Sequence, residues 1–417
     1  MIRPSAFAKR FGGLTSPGLL AVSGIIVAGG MTGASPALCR LPAALRYVAQ
    51  TPPAPPARED VDLAIDGLGA FDYDQRMSAA RVVRRAPGTV ALPALLDAAA
   101  GHADSFVRYR ALVLLSGYDD PRVPDQMEQA LGEANDRLRT VAFAYFELHP
   151  ERGLIPTLLK AMDKEEAEFV RPALTRALAA QARDPRVQNA LIKDVTRGRE
   201  NVRAAAIEAL GDHKVAQAVR AISQVAELDG PLREEAVLAL GRIGDPASVG
   251  LLEGLQRTAG PEAQTTVAAA LCLLGSNCEA NRGVLIRTLR LTDRPAGSLE
   301  LLRTAASGLG ALAVTGDVEA GRALVDVGVQ ATDPLRAPVA LALARLAVAQ
   351  PLALVALVEE RQDRDPVLQL LRDGFNLLED DFRQEQFFVA VRKAYFTEPE
   401  GSARGLLIQS VINGLEF

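Results

Sequence analysis

The 417-residue sequence has no tryptophan, and aromatic residues make up only 5% of it. It has three histidines, His102, His149 and His213, and they are too far apart to form a paired metal motif. No HExxH and no paired-cysteine spacing occurs, which removes the usual zinc signatures. There is no Gly-Lys-Ser/Thr phosphate loop, no GxGxxG after a strand-like run and no GxSxG elbow. Many acids are present, but two-carboxylate chemistry needs a defined cleft, which spacing alone does not show. No catalytic, cofactor-binding or metal-binding residue is therefore assigned, and no cofactor is implied. Runs of alternating β-branched and aromatic residues are also scarce, so strands have little to form from. Lysine is sparse as well, at 6 of 46 basic residues.

Small aliphatic residues dominate instead. Apolar residues make up 49% of the chain, mostly Ala, Leu and Val, which suits closely packed helices. The formal charge of −5 is uneven. Residues 1–57 hold five basic side chains and no acid, leaving 41 basic against 51 acidic in the remainder. An acidic body argues against general nucleic-acid binding, which needs clustered positive charge. Arginine in place of lysine, with abundant alanine, points to a GC-rich gene and a bacterial source.

The N-terminal 37 residues have the order of an export signal. Arg3, Lys9 and Arg10 come first, then the uncharged stretch Gly18–Met31, then small residues. A cleaved signal peptide or a retained membrane anchor would both fit, because no charge occurs from Phe11 to Cys39. Leu38 stands where a lipobox before Cys39 would need a small residue. Residues 38–57 contain the run TPPAPPA and read as an extended Pro-rich linker. An exported, periplasmic or envelope-associated location follows if the signal is real, and a cytoplasmic one if it is not.

The strongest signal is self-similarity. The segments FVRYRALVLL, RLRTVAFAYF, FVRPALTRAL, NVRAAAIEAL and PLREEAVLALGRIGDP align on Arg108, Arg139, Arg171, Arg203 and Arg233. The steps between them are 31, 32, 32 and 30 residues. The series extends back to Arg76 and forward through Gln264 and Leu302 to Arg336. Each unit reads as two helices. The first carries Ala236, Val237, Leu240 and Ile243 at helical spacing, and the second Ile155, Leu158, Leu159 and Met162. Breaks such as Gly244-Asp245-Pro246 separate them. So short a helix pair cannot bury both apolar faces, so stacking must supply the cover. Longer steps around 281–298 and 315–320 suggest inserts.

Pro231–Ala247 and Asn201–Gly211 resemble the HEAT-repeat family, and more closely its variant called PBS-lyase HEAT-like repeats, with the pattern VRxxAxxALGxxGDPxA. The resemblance covers about residues 72–366. It implies an all-α fold: an α-solenoid, a right-handed superhelix of about nine to ten helix pairs. The array is expected over 58–366, opened by a charged capping helix, with capping helices over 367–417. Those last residues hold Phe375, Phe382, Phe387, Phe388, Tyr395, Phe396 and Phe417, which could cap the array or meet a partner.

An array of this kind implies a non-enzymatic scaffold or adaptor for other, unidentified proteins. The second helices are expected to line its inner wall, where Lys160, Lys193, Arg220, Gln224, Arg257, Arg287 and Arg290 could point inward. Two alternatives come with the resemblance: a chromophore lyase or its helper, and, less favoured, a nucleic-acid cradle. The recurrent arginines, Arg76, Arg108, Arg139, Arg171, Arg203, Arg233 and Arg336, read as structural ties between repeats, with an anion-binding stripe as the rival. Cys272 and Cys278 flank a turn at Gly275 and could form a disulfide after export. The histidines fall at turns. The cluster Phe143, Tyr145 and Phe146 belongs to the core or leaves one ring exposed.

Overall fold

A computed structural model describes residues 55–291 and 298–415. The expected signal or anchor and most of the linker lie outside the described residues. Among the described residues there are 22 α-helices, three short 3-10 turns and no strand.

The array starts with α1 (Arg58–Gly67). Nine pairs follow: α2 (Tyr73–Arg85) with α3 (Gly88–Gly101), α4 (Ser105–Leu115) with α5 (Arg122–Ala130), and α6 (Asp136–Leu148) with α7 (Ile155–Lys164). Next come α8 (Arg171–Ala179) with α9 (Pro185–Thr196), α10 (Glu200–Asp212) with α11 (Val219–Glu227), and α12 (Arg233–Ile243) with α13 (Val249–Thr258). The last three pairs are α14 (Pro261–Leu273) with α15 (Cys278–Leu289), α16 (Ser298–Val314) with α17 (Val318–Gly328), and α18 (Arg336–Ala349) with α19 (Pro351–Glu359). Three helices complete the described chain: α20 (Asp365–Leu378), α21 (Asp381–Thr397) and α22 (Ala403–Gly414).

Local chemistry sets the ends of these helices. Side chains of Asp72, Asp104, Asn135, Asp184 and Asp317 accept from the first free backbone N–H groups of the helices they precede. Pro185, Pro261 and Pro351 open helices at a position where the missing N–H has no partner to lose. Gly244 ends α12 in the left-handed region at φ 78°, which a side chain would resist. Residue 281 belongs to α15, so the expected insert there is helix up to Leu289.

The two helices of each pair play unequal parts. From α6 to α20, successive first helices pack along much of their length, whereas successive second helices touch at few points or not at all. In a curved stack the closely spaced row is the inside. The first helices therefore form the inner row, against the expectation that the second helices would line it. The reason is side-chain size. A Cβ added at Gly211 of α10 would stand 2.9 Å from Ala239 Cα of α12. One at Gly241 of α12 would stand 2.7 Å from Ala270 Cα of α14. Gly308 on α16 faces Ala269 in the same way, and Gly310 on α16 faces Ala342 of α18. With glycine set against alanine, the backbones come almost into contact.

The second helices alternate buried aliphatics with exposed polar residues. Leu158, Leu191, Ile222 and Leu252 are fully buried. Lys160, Lys193, Arg220, Gln224, Arg257, Arg287 and Arg290 are exposed on this outer row rather than directed inward. The core runs through the stack in two clusters that meet near α12 and α14. Each fully buried leucine contributes about 1.5–3 kcal/mol.

The described C-terminal helices do not form a simple cap. α20 packs on α18 as the next member of the inner row, so the array continues past residue 366. α21 then reaches back to α4. Phe382 joins the core of the N-terminal repeats, whereas Phe387 and Val391 join that of the C-terminal repeats.

The inner-row geometry is testable with two glycines. Gly241→Ala should lower stability by about 1–3 kcal/mol, because the added methyl meets backbone. Gly254→Ala, on the outer row with nothing within 4 Å, should raise it by about 0.5–1 kcal/mol. Urea unfolding midpoints read both, and equal shifts of one sign would contradict the assignment of the rows.

Candidate functional site

The recurrent arginines lie at the starts of first helices, and most reach two kinds of partner. Arg139 donates to the carbonyls of Glu133 and Ala134 at 2.8 and 3.0 Å, and to Glu165, directly after α7 of its own pair, at 2.8 Å. Arg108 bonds Ala99 O at 3.1 Å and pairs with Glu133. Arg171 bonds the Met162 carbonyl and pairs with Asp194 at 3.0 Å. Arg203 donates to Val195 O, and Arg233 to Leu228 O and Asp229. Arg336 bonds Asp373 at 2.7 Å, and Arg76 holds the carbonyls of Ala70 and Phe71. These guanidiniums are thus spent on the loop or last helical turn before their helix, and most also on acids in or next to the same helix pair, with Arg336 alone reaching the next helix of the row. At the other two anchor positions, Gln264 and Leu302, no such bond forms among the described residues. Burial raises the Glu165 carboxyl, but its bonds from Arg139 and the Ala167 N–H prevail and hold it below the usual range.

Cys272 at the end of α14 and Cys278 at the start of α15 are joined as a disulfide, with Cα atoms 4.0 Å apart. The Asp317 carboxylate lies close to both sulfurs but bonds Arg282 at 2.8 Å. The three histidines each follow a first or second helix: His102 bonds Asp66 at 3.1 Å, and His149 stacks on Tyr145 at 4.3 Å. Phe143, Tyr145 and Phe146 are all buried.

The most elaborate chemistry lies where α21 meets the first three repeats. Asp381 accepts from Tyr109 at 2.8 Å and pairs with Arg110 of α4 at 2.6 Å. One turn on, Glu385 faces Arg84 of α2, whose Nε lies 3.2 Å from both carboxylate oxygens. Arg84 and Glu385 are only 8% and 4% exposed. The Phe388 ring covers the Arg84 guanidinium at 4.8 Å. Gln386 donates to Ser116 Oγ at 2.8 Å. Arg383 reaches Glu147 of α6 at 2.9 Å, and Arg176 of α8 reaches the same carboxylate at 3.1 Å. His213, at the end of α10, lies 4.0 Å from Glu147, and burial lowers its pKa.

Burial alone would raise Asp381, but Arg110 and the bonds from Tyr109 and Arg110 outweigh it and hold the carboxyl below the usual range. The Tyr109 hydroxyl is pushed well above its ordinary value by burial and by Asp381. Between α2, α4 and the α20–α21 corner lies a cavity of about 170 Å³. Sequence reading missed this whole seam. Its acids and arginines are ordinary helix residues 236 to 301 positions apart, and no local pattern pairs them.

Residues 189–272 match the family described as HEAT repeats. No curated protein matches the sequence. Among solved structures, YibA of Escherichia coli is 16% identical, covering 52% of this chain and 82% of its own, with a TM-score of 0.39. The complex of CpcE and CpcF of phycocyanin lyase from Nostoc sp. PCC7120 is 19% identical over 62% of this chain and 97% of that one, with a TM-score of 0.39. The Kap95:Nup1 complex is 15% identical over 86% and 57%, with a TM-score of 0.36.

Two predictions concern the seam. Glu385→Ala leaves Arg84 buried without its carboxylate and should cost about 3–5 kcal/mol. Replacing both residues with leucine should restore most of that loss. Hydrogen exchange should rise in α2 and α4 of the single variant, and unchanged exchange there would refute the seam. The second prediction follows from the lowered Asp381 carboxyl. Its stabilisation is complete above the ordinary aspartate pKa and is lost as pH falls through the lower folded value. Asp381→Asn should therefore flatten the acid side of the stability profile, measured by thermal unfolding across pH.

Proposed function

We propose that this chain, whose repeats are HEAT repeats, is a non-enzymatic scaffold that binds other proteins, and that it works at or outside the cell envelope of a bacterium. The carrying observation is the division of the array into two unlike rows. The inner row is packed against itself and, over the first repeats, against α21. The outer row is left uncovered. Its second helices barely touch one another and present long polar side chains from one repeat to the next. Lys160, Lys193, Arg220, Arg257 and Arg287 stand there without an ion-pair partner among the described residues. Such a surface offers many modest contacts over a long span, which suits protein binding better than small-molecule chemistry.

The envelope location rests on the N-terminal sequence: a basic start, an uncharged apolar stretch and small residues after it. The disulfide between Cys272 and Cys278 suits an oxidising compartment. Sequencing the N-terminus of the mature protein separates a cleaved signal from a retained anchor.

The scaffold reading is tested by affinity capture with the full chain from the envelope fraction of its source cells. A variant with Lys160, Lys193, Arg220, Arg257 and Arg287 changed to glutamate is run beside it. The expected result is a protein partner retained by the parent and lost by the variant, while thermal unfolding stays within a few degrees. Equal capture by both would remove the outer row from the reading, and no partner above background would remove the reading itself.

A further inference from the structure

The chain beyond residue 57 is acidic overall, yet its outer row carries a band of the opposite sign. Lys160 on α7, Lys193 on α9, Arg220 on α11, Arg257 on α13 and Arg287 on α15 are exposed, one on each of five consecutive second helices. Leu158, Leu191, Ile222, Leu252 and Leu285 are fully buried on the same helices. At about 100° per residue, each cation lies roughly 140–200° around its helix from that buried side chain. The five therefore share the outward face, and none has an ion-pair partner among the described residues.

The band has ends. Neighbouring second helices expose acids instead, Asp125 and Glu128 on α5 and Glu359 on α19. On α17, Arg322 is already spent on Glu360. At about 10 Å per helix, the intervals from α7 to α15 span roughly 40 Å. An extended polypeptide covers that distance with about 12 residues, so an acid at about every third residue would meet one cation in each repeat.

The face also disfavours denser anions. Asp163 on α7 and Glu227 on α11 fall in the same sector as the cations, and Glu253 and Glu279 stand beside it. A nucleic-acid strand, charged at every nucleotide, would meet these acids, whereas sparse carboxylates avoid them. A flat lipid surface would touch a convex row at few repeats. Half-buried Leu159, Ile192 and Ile286 flank the cations and offer apolar contact between the charges. Residues 1–57 contain no acid, so the chain's own N-terminus does not supply the complementary charge.

We propose that the outer row from α7 to α15 binds an extended acidic segment of a partner protein, with carboxylates at about every third residue and aliphatic side chains between them. The inference rests on the scaffold reading above and names the chemistry of its partner.

The test uses the full chain and a fluorescein-labelled peptide of five Glu-Val-Ser units, read by fluorescence anisotropy. Saturable binding is expected. It should weaken at least about tenfold when glutamine replaces glutamate, and as much when only two units remain. It should also weaken steeply as salt rises. The variant with the five cations changed to glutamate should lose this peptide and bind one of five Lys-Val-Ser units, with its thermal midpoint near that of the parent. No saturable binding of the glutamate peptide would overturn the inference, as would equal binding by parent and variant. So would tighter binding of phosphatidylglycerol vesicles or of oligothymidylate, which would make the occupant a membrane or a nucleic acid. If the peptide fails while affinity capture still yields a protein lost by the variant, this inference falls and the scaffold reading stands. Failure of both removes both.

Discussion

The arrangement depends on how closely the first helices approach one another. Gly211, Gly241 and Gly308 meet alanines of neighbouring helices at distances that leave no room for a methyl group, and Gly310 meets Ala342 almost as closely. Such contacts let dispersion act over whole helix backbones instead of over side-chain tips. They also bring the inner row nearer than the outer row, where a close glycine such as Gly321 meets the tip of Leu357 rather than backbone. A stack with unequal spacing on its two sides must bend.

Bending has a consequence at the ends. A curved stack brings its last helices toward its first, and α21 spans what remains. The seam it makes is unlike the rest of the molecule. Within the array, neighbours are joined mainly by aliphatic contact. At the seam, Arg84, Arg110, Glu147, Asp381, Arg383 and Glu385 carry the join, with Phe382 as its apolar anchor. Charged groups buried together add little net stability over apolar replacements, yet they penalise any arrangement that leaves one of them alone. An aliphatic face would tolerate sliding by one turn. A bidentate arginine facing one glutamate, with a second pair one turn away, does not.

What could be read from the sequence follows from what repeats. The arginines at 108, 139, 171, 203 and 233 recur because each repeat needs a bond of the same kind to the loop or last helical turn before it, so a single sequence displays that need several times. Helix pairs, their breaks and their order came from the same periodicity. Which row lies inside did not. Both rows show apolar stripes, and the deciding feature is the fit of Gly241 against Ala270, 29 positions later, which no helical period reveals. The expectation that Lys160 and Arg257 face inward failed for that reason. The seam was hidden more deeply, since it occurs once, and Arg84 with Glu385 is a pairing of ordinary residues 301 positions apart.

The cost of closure also bears on what the inner surface can do. An open array would leave its inner wall uncovered. Here the wall of the first repeats already holds a helix of the same chain, anchored by charge and by Phe382. A partner seeking that wall would have to displace two buried ion pairs and leave Arg84 and Arg110 unmatched, at several kcal/mol. The outer row asks for no such exchange at Lys160, Lys193, Arg220, Arg257 and Arg287, which are exposed. Long exposed surface and ready access thus fall on the same row, while a small cavity of about 170 Å³ remains on the inner side.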